Sequence, residues 1–212
     1  LEPPTGRERW EDRDLVAVPY SAYLAGFDTV ASACSFLIYQ LLTHPRDLAQ
    51  VRQEFEELRR ESSGPVAPVK QKYLRAAFLE AVRLNPPGTA VLRVADRDFE
   101  FAGYSIRKGD EVLVVIAGDH LNEAVFSRPN EFDPTRFFGP QSTRLKRRVL
   151  PFGSGSHRCT GAVLGELVAV EMVSHWVNEF DLQVVRAGRK VGAVARPFTQ
   201  PKGLRVKVLA RR

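Results

Sequence analysis

Residues Phe152-Gly153-Ser154-Gly155-Ser156-His157-Arg158-Cys159-Thr160-Gly161 set a cysteine among glycines, just ahead of a helix-forming run. Glycine lets a loop bring its backbone against a flat or bulky object and adopts positive φ without penalty. A cysteine at a helix N-terminus feels the positive end of the macrodipole and nearby N–H donors, which favour its thiolate. Such a sulfur is either a nucleophile or a single thiolate ligand for a metal. A buried structural cysteine in a glycine-rich turn is the third reading, and it would lead if the segment stood alone.

Three other segments carry polar groups at telling intervals. Glu80-Ala81-Val82-Arg83 lies in a helical run, where a spacing of i, i+3 puts carboxylate and guanidinium on one face. Taken alone, such a pair is usually solvated. The loop Pro129-Asn130-Glu131-Phe132-Asp133-Pro134-Thr135-Arg136-Phe137 is stiff enough to present Arg136 to Glu80. Ala25-Gly26-Phe27-Asp28-Thr29 sets an acid beside an alcohol in an otherwise apolar helix. Thr29 can satisfy itself by bonding back to its own helix, whereas a buried Asp28 needs a partner or a task. No second cysteine or histidine pair stands at zinc spacing around Cys159. A haem asks for only one axial protein ligand, and a thiolate is among the known choices.

Together, and in this order, the four segments make the chain resemble the cytochromes P450, the haem-thiolate monooxygenases, over nearly its whole length. The family's cysteine loop, F-x-x-G-x-[HR]-x-C-x-G, is met by Phe152, Gly155, His157, Cys159 and Gly161. Its E-x-x-R motif falls on Glu80 and Arg83, and its P-x-x-F-x-P-x-R-F stretch on Pro129 to Phe137. Its A-G-x-[DE]-T motif falls on Ala25 to Thr29.

The resemblance implies a set of roles. Cys159 is expected to be the axial ligand of haem b, donating electron density that favours O–O cleavage. Gly153, Gly155 and Gly161 shape the loop that approaches the cofactor, and Phe152 packs near the thiolate and excludes water. His157 and Arg93 are expected to meet the haem propionates through charge-assisted hydrogen bonds. Glu80, Arg83 and Arg136 form an architectural ion network rather than catalytic groups, and such a network needs every member paired. Asp28 and Thr29 are the acid–alcohol pair that relays protons to bound oxygen, with Gly26 opening the helix for O2 and both Ala25 and Gly26 expected among the haem-binding residues. Val30 stands where many relatives carry a second hydroxyl, and Gly118 to Asn122 departs from the family's Asn-Arg-Asp type. The implied partners are a small apolar organic substrate, O2 and a redox partner: a ferredoxin, flavodoxin or flavin reductase. The basic run Arg144-Leu145-Lys146-Arg147-Arg148 is a candidate docking patch for that acidic partner, or a merely solvated charge run.

The elements that must position these groups are mainly α with minor β, an α+β arrangement. From Leu15 to Leu42 Asp28 is the only charged residue, and small residues cluster between Ala25 and Ser35. That predicts a long helix buried in protein, since its polar residues weaken a membrane span. Charged amphipathic helices are predicted over 46–60 and 70–84, the latter closed by Asn85-Pro86-Pro87-Gly88. Residues 93–101 alternate and 111–116 are β-branched, with a turn at Lys108-Gly109-Asp110. Residues 120–150 read as irregular, 160–178 as a helix, and 204–209 as a half-exposed strand.

Composition sets the outer bounds. The 212 residues are 44% hydrophobic and 26% charged, which excludes collagen-like, low-complexity and disordered classes. The net charge of +6 is not a nucleic-acid signal. Nine of the 31 basic residues follow Asp181, where no acid occurs, so residues 1–181 hold 22 basic and 25 acidic side chains. No nucleic-acid motif accompanies them. Two cysteines, Cys34 and Cys159, make no disulfide framework, which points to the cytoplasm, with membrane anchoring by an N-terminal segment left open.

The sequence opens at Leu1 without a signal-peptide pattern. Under the resemblance, residues 1–212 are the C-terminal haem-binding half of a single P450 domain. The fold is then incomplete, lacking the N-terminal helices that cover the distal pocket. A peroxygenase or hydroperoxide isomerase working without reductase is one alternative. A non-catalytic fragment, or one subunit of a split enzyme whose N-terminal half is a separate chain, is the other.

Overall fold

The computed structural model describes residues 9–185, 191–195 and 198–212. Six α-helices carry the described fold: α1 (Asp12–Thr43), α2 (Pro45–Glu61), α3 (Lys72–Leu84), α4 (Ile116–His120), α5 (Ser142–Arg148) and α6 (Ala162–Glu179). Between α3 and α4 lie β1 (Ala90–Val94), β2 (Phe99–Phe101), β3 (Tyr104–Ile106) and β4 (Glu111–Val115). After α6 come β5 (Phe180–Val184), β6 (Gly192–Ala195), β7 (Thr199–Lys202) and β8 (Val206–Arg211). The strands pair as antiparallel couples: β1 with β4, β2 with β3, β5 with β8 and β6 with β7.

The long apolar run becomes α1, and its two halves differ. From Ser32 to Leu41 it is largely buried, with Leu37 and Leu41 fully so. These side chains meet Leu74, Ala77, Phe78 and Ala81 of α3, and Ala169, Val170, Val173 and Val177 of α6. Each fully buried leucine there contributes about 1.5–3 kcal/mol. By length and composition α1 could cross a membrane, but this half of it is core. Pro45 ends α1 by occupying the first turn of α2, where its missing N–H costs nothing.

Polar side chains set the angles between the helices. Glu54 of α2 accepts from the Tyr73 amide at 2.9 Å and the Leu74 amide at 3.4 Å, covering orphan donors at the start of α3. Arg52 of α2 donates to the carbonyls of Val177 and Phe180 at the end of α6. Arg75 of α3 pairs with Glu166 of α6 at 2.6 Å. The opposite side of α3 covers a second cluster of Ala76, Phe126, Phe137, Leu145 and Val149. Helix α3, which carries Glu80 and Arg83, is thus enclosed on both sides.

Three local expectations need correction. The single alternating strand over 93–101 is two strands in separate pairs, and Leu92, Arg93 and Val94 are all exposed. Asp98 breaks the run by accepting from the Lys108 amide at 2.7 Å, and buried Ala95 donates to the Asp110 carbonyl at 2.9 Å. The segment 120–150 is not wholly irregular: it holds a 3-10 turn at Pro134–Phe137 and helix α5. The terminal strand is exposed at every residue of β8, because it pairs with β5 and neither face is covered.

Part of its positive charge is neutralised locally. Arg211 lies 3.6 Å from Glu179, and Arg212 lies 3.6 Å from Asp181. Arg186, Arg189, Lys190 and Arg196 lie outside the described residues.

Candidate functional site

The buried centre is a charge cluster on α3. Glu80 and Arg83 are both fully buried. Arg83 Nε donates to Glu80 Oε2 at 2.7 Å and Nη2 to Oε1 at 2.8 Å, a parallel fork. Nη1 donates to the carbonyls of His120 and Pro129 at 2.6 and 2.7 Å, and Nη2 also reaches Glu131 O at 3.3 Å. Every N–H of the guanidinium is therefore used. Glu80 Oε1 further accepts from Arg136 Nε at 2.8 Å and the Asp133 amide at 3.1 Å. Arg136 completes its own set on the carbonyls of Ser127, Arg128 and Glu131. The triad read from the spacing is present and fully paired.

From this cluster the chain reaches the cysteine through His120, which sequence reasoning flagged only as an atypical position. The His120 side chain is buried, and its Nε2 accepts from the Leu150 amide at 3.0 Å. The Leu150 carbonyl then accepts from Gly153 N at 3.1 Å, and the Phe152 carbonyl from Cys159 N at 2.8 Å. The Phe152 ring stacks on Phe78 at 6.4 Å, which moors this end of the loop to the main core. Gly153 and Gly155 both hold φ of +68°, the left-handed region that disfavours any side chain. The result is a tight loop that leaves Cys159 exposed.

Two residues after Cys159, Gly161 caps α6, and a Cβ placed there would stand 3.8 Å from the sulfur. Farther along α6, Gly165 lies against α1: a Cβ there would meet Val30 Cγ2 at 3.7 Å. The cysteine helix therefore crosses the long helix one residue past Thr29. Val30 uses its methyl as a packing surface there. Asp28 is half-buried rather than enclosed. Thr29 donates its hydroxyl to the Ala25 carbonyl at 2.9 Å, with Gly26 O at 3.2 Å. Around Gly26 nothing lies within 4 Å of a built Cβ, so that face of α1 is open.

Other expected site residues are separate. His157 is exposed on a 3-10 turn, Gly155–His157, beside Cys159. Arg93 is exposed on β1, its Nη1 on its own strand at Leu92 O, 2.8 Å away. On α5, Arg144, Lys146 and Arg147 are exposed, while Arg148 pairs with Asp119 at 2.8 Å.

The family model that matches is that of cytochrome P450, over residues 4–208. The chain belongs to the cytochrome P450 family. It is 30% identical over 185 residues to a sterol 14alpha-demethylase of Mycolicibacterium vanbaalenii, covering 85% of this chain and 41% of that protein. It is 30% identical over 180 residues to a cyclooctat-9-en-7-ol 5-monooxygenase of Streptomyces melanosporofaciens, covering 82% of this chain and 39% of the other. Among solved structures, a cyanobacterial CYP120A1 with retinoic acid bound superposes with a TM-score of 0.83 at 29% identity. That match covers 91% of this chain and 45% of the other. The P450 chain described here thus spans less than half the length of these relatives.

The P450 residues present fit a haem. Among the described residues no group of three or more His, Cys, Asp and Glu side chains could hold a bare metal ion. A porphyrin brings its own equatorial nitrogens and asks for one axial donor, and Cys159 offers one accessible sulfur at the end of a loop turned by Gly153 and Gly155. Val163 and Leu164, just beyond it on α6, are exposed apolar side chains of the kind a flat apolar group covers.

The two thiols of this P450 chain should differ sharply in reactivity. Burial pushes Cys34 up to about 11, so it stays protonated and shielded. In the haem-free chain, alkylation at mildly alkaline pH should modify Cys159 and spare Cys34 until the protein unfolds. Peptide mass spectrometry reads this, and comparable labelling of both would contradict the placement of Cys34 in the α1 core.

Proposed function

We propose that this chain forms the haem-ligating part of a P450 monooxygenase that inserts one oxygen atom from O2 into an apolar organic substrate, with electrons from a redox partner. The observation that carries the reading is the exposed Cys159 sulfur, held by a left-handed glycine loop at the head of a helix that crosses α1 beside Thr29. The names of the two curated relatives, a demethylase and a monooxygenase, support oxygen chemistry. Haem b, held through Cys159, would supply the redox chemistry that activates O2.

The chain's own residues do the rest. Cys159 binds as the thiolate, and Phe152, moored on Phe78 at 6.4 Å, holds the loop through its carbonyl on the Cys159 amide. His157 and Arg93 are the exposed groups that hold propionates by charge-assisted hydrogen bonds. The Thr29 hydroxyl proton is committed to its own helix, so its oxygen presents lone pairs and accepts from a proton donor in the pocket. Asp28, half-buried beside it, exchanges protons with water and passes them on. This pair favours oxygen-and-reductant chemistry over a reductase-free peroxygenase. The exposed cations of α5 suit an acidic redox partner: a ferredoxin, flavodoxin or flavin reductase. Two free thiols suit a reducing, cytoplasmic setting.

A second observation bears on how the pocket is closed. Leu15, Val16, Tyr20, Tyr23, Leu24 and Phe27 of α1 are each more than half exposed. A contiguous apolar stripe of this kind is normally covered. We read it as the seat of further polypeptide, upstream in the same chain or on a separate one, that closes the substrate pocket.

One preparation tests both readings. The purified chain is assayed for haem content and monodispersity, then reduced under carbon monoxide. The red-shifted Soret band of thiolate-ligated haem is the expected result, and its absence from haem-loaded protein overturns the function. A stably loaded monomer of this chain alone overturns the need for a cover.

A further inference from the structure

His120 joins the buried ion cluster to the cysteine loop, and neither the cluster nor the loop's own turns account for its imidazole. Its carbonyl takes Arg83 Nη1 at 2.6 Å, and its Nε2 takes the Leu150 amide at 3.0 Å. An accepting Nε2 requires the neutral ring with its proton on Nδ1. Burial favours that state by pushing the imidazole below its ordinary value. Yet Nδ1 is itself buried with no hydrogen-bond partner among the described residues. An orphaned buried N–H is unfavourable, and an apolar side chain of similar size would avoid it. The Nε2 bond is what offsets that cost.

We propose that His120 is a positioning residue for the Cys159 loop: its Nε2 fixes the loop's entry at Leu150 and thereby the stance of the Cys159 sulfur. The bonds form an unbroken path. Arg83 holds the His120 carbonyl, the His120 ring holds Leu150 N, Leu150 O holds Gly153 N, and Phe152 O holds Cys159 N. Asp119, next in chain, pairs with Arg148 at 2.8 Å two residues before Leu150, so among the described residues it is the His120 ring that bonds from α4 to Leu150 itself. The proposal rests on Cys159 being the haem ligand, and the test separates the two.

The test uses the haem-loaded protein with two variants. His120→Gln keeps an acceptor oxygen near the place of Nε2, whereas His120→Leu keeps bulk and loses the acceptor. Two readouts are followed: amide hydrogen exchange over residues 150–159, and the rate at which the reduced carbon monoxide adduct trades its thiolate band for a neutral-thiol band. His120→Leu should raise both rates about tenfold, the scale of one lost buried hydrogen bond, while His120→Gln stays within about twofold of the parent.

Unchanged rates in His120→Leu overturn the proposal. So does a His120→Gln variant as loose as His120→Leu at the parent's melting temperature. If His120→Leu fails to hold haem, His120→Asn, whose amide stops short of Leu150, replaces it with the same expected change. Equal behaviour of the Asn and Gln variants then overturns the proposal. A parent without a thiolate band defeats the Cys159 assignment instead, and the exchange rates still decide His120.

Discussion

Replacing Arg83 by leucine should cost this protein a large part of its stability. The change strands a fully buried Glu80 and removes the donors that occupy the carbonyls of His120, Pro129 and Glu131. Breaking one side of a buried ion pair costs about 3–5 kcal/mol, against total stabilities on the order of 5–15 kcal/mol for a domain. For a chain of this size that is a fall in Tm on the order of 10 °C. Arg83→Lys should fare little better, since an ammonium cannot make the fork to both Glu80 oxygens or reach every carbonyl the guanidinium serves. Glu80→Gln should be milder only in part: its oxygen can still accept where Oε1 does, but its NH2 then faces the Arg83 Nε donor and both guanidiniums lose their counter-charge. Thermal melts followed by circular dichroism read the series. An Arg83→Leu variant melting with the parent would show that the cluster is ornamental.

That cluster was legible in the sequence because its central pair is local: a helix puts residues three apart on one face. Arg136 was legible for another reason, since a proline-framed loop can aim in few directions. The long helix and the cysteine loop were equally plain, one from an uninterrupted apolar run and the other from glycines needed for positive φ. His120 was not legible. Its ring partner, Leu150, lies thirty residues downstream on an irregular path, and no periodicity encodes such a bond. Helix α5 was missed although Leu145 and Val149 stand at i, i+4 and are both buried. One apolar residue in a basic heptapeptide, with a second just after it, looks like solvent-facing loop until the Phe126–Phe137 cluster beneath them is seen. The exposed faces of β1 and β8 were misjudged because alternation predicts a buried side only where something arrives to bury it.

Replacing Cys159 by alanine should do the reverse of the arginine substitution: leave the polypeptide's stability nearly intact and abolish the thiolate signature. The sulfur is exposed, and the bonds that shape its loop are made by backbone atoms that alanine retains, the Cys159 amide on Phe152 O and the Cys159 carbonyl facing the Ala162 amide at 3.3 Å. Exposed positions without special backbone geometry usually tolerate substitution within about 0.5 kcal/mol. Haem retention should fall and the red-shifted carbon monoxide band should vanish, because no other cysteine can substitute: Cys34 is held protonated inside the α1 core. Cys159→His is the sharper variant, since it offers a neutral nitrogen in place of an anionic sulfur. It should restore some haem binding without restoring the band. Matched melting of the haem-free parent and Cys159→Ala chains, with the band lost only in the variant, assigns the sulfur to ligation rather than to packing. If the band survives, the ligand is not Cys159; if the haem-free variant unfolds, the buried-cysteine reading returns.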